Sequence, residues 1–196
     1  MLTNLSIIEQ AANHKKSNQE LPSSAKVVAA LVELEKQLKK ETKHNSLLSL
    51  IGCWNLRFIT GTKKTRKKAG VVLGSGRYIP RLIKIEIVYE NKLPSTPNAG
   101  KVSNCVELGF LKLVLSGPIK FISQKSILAF DFTYLALSLG GFKIYDGYLR
   151  NGLEKETKFW ETEIKYQAFF KYFLIEDNVI AARGKGGGLA LWSRQQ

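Results

Sequence analysis

From Gly52 onward the chain alternates apolar and polar residues with a period of two. Trp54, Leu56 and Phe58 alternate with Asn55 and Arg57, and Ile83, Ile85, Ile87 and Tyr89 alternate with Lys84, Glu86 and Glu90. Leu128, Phe130, Phe132 and Tyr134 follow the same rule, as do Ile164, Tyr166, Ala168, Phe170 and Tyr172. This period predicts strands with one face buried and the other wet. Two segments change phase: Val106, Leu108 and Phe110 give way to Leu111, Leu113 and Leu115, and Tyr134 gives way to Leu135, Leu137 and Leu139. A phase change inside a strand predicts a bulge or bend, which a curved sheet needs.

Breaks rich in Gly, Pro and Asn at 91–100, 116–118, 140–141, 151–152 and 184–188 are expected turns. They delimit about eight to ten antiparallel strands in up-and-down order, suited to a small closed barrel. Before Gly52 the period lengthens. Leu5, Ile8 and Ala12 have helical spacing, Pro22-Ser23-Ser24 supplies a break and a cap, and Val27, Leu31, Leu34 and Leu38 line one face of a helix over 25–41. The chain therefore divides into a helical segment, 1–46, and a mainly β part, 47–196, within one domain. The second helix is expected to pack on the domain's own core, with the end of the barrel as the alternative place.

Charge changes the picture. The 196 residues carry a formal charge of +14. That excess implies attraction to an anionic surface, either acidic lipid or nucleic acid. The sharpest concentration is Lys63-Lys64-Thr65-Arg66-Lys67-Lys68, between Gly61 and Gly70. Lys63, Lys64, Arg66, Lys67 and Lys68 are candidate membrane contacts, since each basic residue near acidic lipid contributes about 1 kcal/mol. A merely solvated loop is the competing reading. Nucleic acid is disfavoured because no aromatics interleave the basic run and no RNA-binding signature is present. The sequence shows no secretory leader and no apolar run of spanning length, and Glu9 and Glu20 argue against a transit peptide.

Catalytic chemistry finds little support. Two Cys (Cys53, Cys105) and two His (His14, His44) give no metal-ligand spacing, and the cysteines are expected to be reduced. Gly184-Lys185-Gly186-Gly187-Gly188 lacks the phosphate-loop pattern, and Gly74-Ser75-Gly76 lacks the third glycine of a dinucleotide fingerprint. An enzyme is not expected, and no cofactor is implied.

Two stretches resemble a known family. LLSLIGCWNLRFIT (47–60) resembles the first-strand signature of the plastid-lipid-associated proteins, or fibrillins, in which Gly-x-Trp follows a helical N-terminus. FFKYFLIEDNVIAARGKGGGLALW (169–192) resembles the family's closing signature, with its Arg-Gly-x-x-Gly hairpin, and LSGPIKF (115–121) is similar to a stretch of cyanobacterial members. The chain departs at Val179-Ile180-Ala181-Ala182, where the family is often more polar, and 151–163 match nothing in it. The resemblance implies a lipocalin-like β-barrel. It also implies a hydrophobic ligand (lipid, quinone or carotenoid) and a cytoplasmic or peripheral place at the thylakoid membrane of a cyanobacterium. Photoprotection is a role suggested for that family.

The candidate ligand residues are the large inward-phase side chains Trp54, Phe58, Tyr89, Phe130, Phe132, Tyr166, Phe170 and Tyr172, with Arg183. In lipocalin-like barrels an Arg near the last strand packs over the Gly-x-Trp indole, so Arg183 is expected over Trp54, with a ligand headgroup as its alternative partner. Two rivals remain open. One is a barrel resembling the bilin chromophore lyases, with Arg57 or Arg77 at its mouth; the other is a barrel filled by its own aromatics, serving as a structural or interaction protein.

Overall fold

The computed structural model describes residues 2–13, 20–39, 45–61, 76–91 and 98–195. Among these residues eleven strands form: β1 (Gly52–Ile59), β2 (Arg77–Tyr78), β3 (Ile83–Glu90), β4 (Ala99–Leu108), β5 (Leu111–Ile122), β6 (Ile127–Phe130), β7 (Tyr134–Leu139), β8 (Phe142–Tyr148), β9 (Ala168–Ile175), β10 (Val179–Gly184) and β11 (Leu189–Arg194). Eight close an antiparallel barrel in the circuit β1-β3-β4-β5-β6-β9-β10-β11, and β1 meets β11 to shut it. These eight run as a meander in chain order. The expected antiparallel barrel with N-terminal helices is therefore what forms.

Helices α1 (Leu2–Ala12) and α2 (Ser24–Leu38) lie against the flank of the barrel, not over its end. Ser23 caps α2 by accepting from the Lys26 amide at 3.4 Å. Ile8, Ala11, Val27, Leu31 and Leu34 bury one face against Leu174, Val179, Ala181, Leu189 and Leu191 on the outside of the wall. A third helix, α3 (Gly152–Lys158), and a 3-10 turn (Ile164–Tyr166) fill the stretch before β9. The strand expected from Ile164 thus begins only at Ala168.

The first phase change is a hairpin turn between two strands, because Gly109 adopts φ +56° between β4 and β5. The second is the break between β6 and β7, so 128–134 is not one strand. Residues 116–118 are no turn; they lie inside β5, where its neighbour changes. Beyond them β5 pairs with β6 through 119–122, and before them with β7 through 111–116. Between these partners the Asp131 amide donates to the Pro118 carbonyl at 3.3 Å and the Thr133 amide to Ser116 at 2.9 Å. A Cβ at Gly117 would lie 2.1 Å from the Asp131 carbonyl oxygen, so only glycine admits this crossing.

β7 and β8 carry the sheet away from the barrel as a wing, in the order β3-β4-β5-β7-β8. Directly opposed residues share a face. The row Ile83, Leu108, Leu111, Leu139 and Phe142 crosses the wing, as does the row Ile85, Val106, Leu113, Leu137 and Tyr145. Along β3 these rows keep the alternation of Ile87 and Tyr89, which face the barrel core. The inner face of the barrel therefore continues onto one face of the wing. The reverse face bears the ion pairs Lys84–Glu86 (2.9 Å), Lys112–Glu107 (2.9 Å) and Lys143–Asp146 (2.6 Å).

Candidate functional site

At one end of the barrel the 3-10 helix Leu47–Leu50 plugs the opening. Trp54 is wholly buried beneath it, and its indole N–H donates to the Leu50 carbonyl at 2.7 Å. Arg194, not Arg183, covers this indole, at 4.0 Å from guanidinium to ring centroid. Arg194 also donates to the carbonyls of Ile51 (2.9 Å) and Asp177, tying the plug and the β9–β10 turn to the last strand.

Above the plug, aromatic rings run along the barrel. The Tyr89 and Tyr172 hydroxyls meet at 2.6 Å, both side chains buried. Tyr172 leads to Trp192 (6.3 Å between centroids), Trp192 to Phe170 (5.4 Å), Phe170 to Phe130 (5.0 Å, stacked) and Phe130 to Phe132 (5.3 Å). Desolvation pushes both tyrosine hydroxyls above their ordinary range. Six of the expected ligand residues, Trp54, Tyr89, Phe130, Phe132, Phe170 and Tyr172, thus belong to one apolar interior.

Three others do not. Phe58 lies outside, under the helices and edge-on to Tyr78 at 5.1 Å, because β1 bulges between Leu56 and Phe58 and turns the ring to the other face. Tyr166 is 72 % exposed on its 3-10 turn, beside the Lys165 ammonium. Arg183 is on the flank: it donates from Nε to Glu35 of α2 at 2.8 Å, and from Nη1 to the Gly187 carbonyl at 2.7 Å. The Arg183 hydrogen bond holds the Glu35 carboxyl below its usual range against the opposing effect of burial. Arg57 is not at a mouth either; it is buried at the bulge and donates to Ser193 Oγ at 2.7 Å. The basic run at 63–68, His14 and His44 lie outside the described residues.

Sequence reasoning missed Trp192 and the wing. Trp192 continues the alternation of Ala190 and stands opposite Leu56, a pairing that needs the strand register to be seen. The wing's apolar face includes one amide. Asn104 stands between Ile87 and Leu115 where the barrel passes into the wing, and its side chain makes no hydrogen bond among the described residues. A separate groove of about 260 Å³ lies between the end of α2, β9 and the turn at 123–126, lined by Glu35, Lys39, Lys125 and Lys171 among others. Cys53 and Cys105 are both free thiols, and desolvation raises the Cys53 thiol to about 11. Among the described residues no cluster of His, Cys, Asp and Glu could hold a metal, and no helix is long and apolar enough to cross a membrane.

No protein-family model and no curated protein matches the chain. Among solved structures it is similar to a redesigned β-barrel at 10 % identity and a TM-score of 0.37, covering 77 % of this chain and 96 % of that one. A second redesigned β-barrel, mFAP1 bound to DFHBI, aligns at 8 % identity and a TM-score of 0.32, covering 77 % of this chain and 98 % of that one.

Proposed function

We propose that the protein binds an elongated hydrophobic small molecule of the lipid, quinone or carotenoid class, held beside an anionic, thylakoid-type membrane. One observation carries this reading: the aromatic interior continues, past the single amide of Asn104, onto the half-exposed apolar face of the wing. A core that served stability alone would end at the barrel rim, because apolar area left in water contributes nothing to folding. The Tyr89–Tyr172 pair and the rings around it fill the part nearest the plug. The ligand's place is therefore toward Phe130, Phe132 and the wing, with the Asn104 amide as the group available to a carbonyl or hydroxyl on it. The likeness of 47–60 and 169–192 to the fibrillins supports the ligand class, and the charge of +14 supports the anionic membrane.

Mass spectrometry of organic extracts from natively purified protein tests the reading. The expected result is one hydrophobic species present in stoichiometric amount. Empty extracts, together with no change in tryptophan emission on titration with a quinone or a carotenoid, would refute it. In that case the ring contacts along the interior would mark a filled barrel.

A further inference from the structure

Three turns at one end of the molecule carry large apolar side chains that touch little of the protein. Leu82, in the turn before β3, is 85 % exposed; Phe110, at the β4–β5 turn, is 82 % exposed; and Phe142, at the β7–β8 turn, is 78 % exposed. They belong together, since the Gly140 amide donates to the Phe110 carbonyl at 2.9 Å and the row Ile83, Leu108, Leu111, Leu139 and Phe142 joins all three turns. The next row inward, on the reverse face, reads Lys84, Glu107, Lys112, Ser138 and Lys143. Apolar tips are followed, one residue up the strands, by three lysines, each paired with a carboxylate (Lys84–Glu86, Lys112–Glu107 and Lys143–Asp146), so the net positive charge at this end comes from Arg77 and Arg81, both exposed.

We infer that this wing is the element that enters the membrane: Leu82, Phe110 and Phe142 sink to the acyl boundary of an anionic bilayer, and Arg77 and Arg81, with the lysines Lys84, Lys112 and Lys143, stand at headgroup depth. This rests on the reading of a membrane-side barrel and names the surface that does the docking. The tips are convex, so they offer no groove for a peptide or a second protein, whereas a fluid bilayer takes up protrusions of any shape. The order of the rows matches the order of a leaflet, with apolar groups deepest and cations above them where acidic phosphates lie. The face that carries the ligand reading is continuous with the tips, which gives a hydrophobic molecule a path between bilayer and barrel without crossing water.

Co-sedimentation of the full chain with vesicles of phosphatidylcholine containing about one third phosphatidylglycerol decides it. Replacing both tips (Phe110→Ser with Phe142→Ser) should lower the partition coefficient by about tenfold or more, at an unchanged circular dichroism spectrum. Lys112→Gln with Lys143→Gln should also weaken binding, and raised salt should reproduce that loss but not the loss from the tips. Leu153→Ser, at a leucine on α3 that is 62 % exposed, should change nothing. Equal pelleting of wild type and the tip variant would overturn the inference. So would a wild-type dimer in analytical ultracentrifugation that the tip variant converts to monomer with vesicle binding intact, since the occupant would then be a second copy. The ligand reading fails separately: tip-dependent vesicle binding with empty extracts would leave the wing as a membrane anchor and remove the ligand.

Discussion

Arg194 lies 4.0 Å over the Trp54 ring, and Gly52 exists to let it do so. Gly52 has φ +123°, and a Cβ there would sit 2.7 Å from Arg194 Nη1. Trp54→Ala should therefore lower stability by about 3–5 kcal/mol through the cavity it leaves. Arg194→Ala should cost about 1–2 kcal/mol, because it removes the cation–π contact and the hydrogen bonds to the part-buried Ile51 and exposed Asp177 carbonyls. Gly52→Ala should be destabilising in wild type and less so beside Arg194→Ala, since part of its cost is the collision. Urea unfolding of the double-mutant cycle measures this. Strict additivity would show that Gly52 and Arg194 are not coupled.

The Arg183–Glu35 pair fastens α2 to the barrel wall. Because Arg183 holds the Glu35 carboxyl below its unfolded value, the pair's contribution is full above the ordinary carboxylate range and disappears as pH falls through the lowered folded value. Glu35→Gln should cost about 1–2 kcal/mol at neutral pH, with partial exposure reducing the figure. It should also flatten the loss of stability on acidification. Thermal unfolding of both proteins from neutral pH to below the carboxylate range checks it. An unchanged slope would mean that the pair is not what acid breaks.

Much of the barrel was legible because period-two alternation is a local signal, and β1, β3 and β9 follow it closely. What stayed hidden depends on register. Arg183 has a better sequence context than Arg194, beside a glycine hairpin, yet Arg194 is the residue directly opposite Trp54 across the closing pair. Phe58 has the right phase for the interior, but the bulge after Leu56 reverses its face, and nothing in Leu-Arg-Phe announces the extra residue. The change of phase at Tyr134 was visible. That it marks a departing wing follows only from β5 having two successive partners, which no stretch of sequence encodes alone.

The Tyr89–Tyr172 hydroxyl pair is a polar contact inside an apolar core, so each hydroxyl depends on the other. Tyr89→Phe should cost about 1–3 kcal/mol by leaving the Tyr172 hydroxyl unsatisfied, and the double Phe variant should cost less than the two single changes summed. Both phenols are held above their unfolded value by desolvation, so stability is full below the ordinary phenol range and falls as pH rises beyond it. Ultraviolet titration should show these two tyrosines ionising only with alkaline unfolding. Early ionisation of all seven tyrosines would contradict their burial.

Asn104 separates fold from function. It interrupts the apolar run of Ile87 and Leu115, and its amide has no partner among the described residues. The amide is half-buried and open to water, so it contributes little to folding, and Asn104→Leu should change stability by no more than about 1 kcal/mol. If the amide meets a carbonyl or hydroxyl on a bound molecule, the same change should lower ligand content in native extracts by about five- to thirtyfold, the loss of one hydrogen bond. Asn104→Asp should also lose a carbonyl-bearing ligand, because an ionised carboxylate only accepts hydrogen bonds. The two measurements together are decisive: a Leu variant that is destabilised and still loaded would make Asn104 part of the scaffold, whereas one that is stable and empty places the ligand's polar end at the junction of barrel and wing.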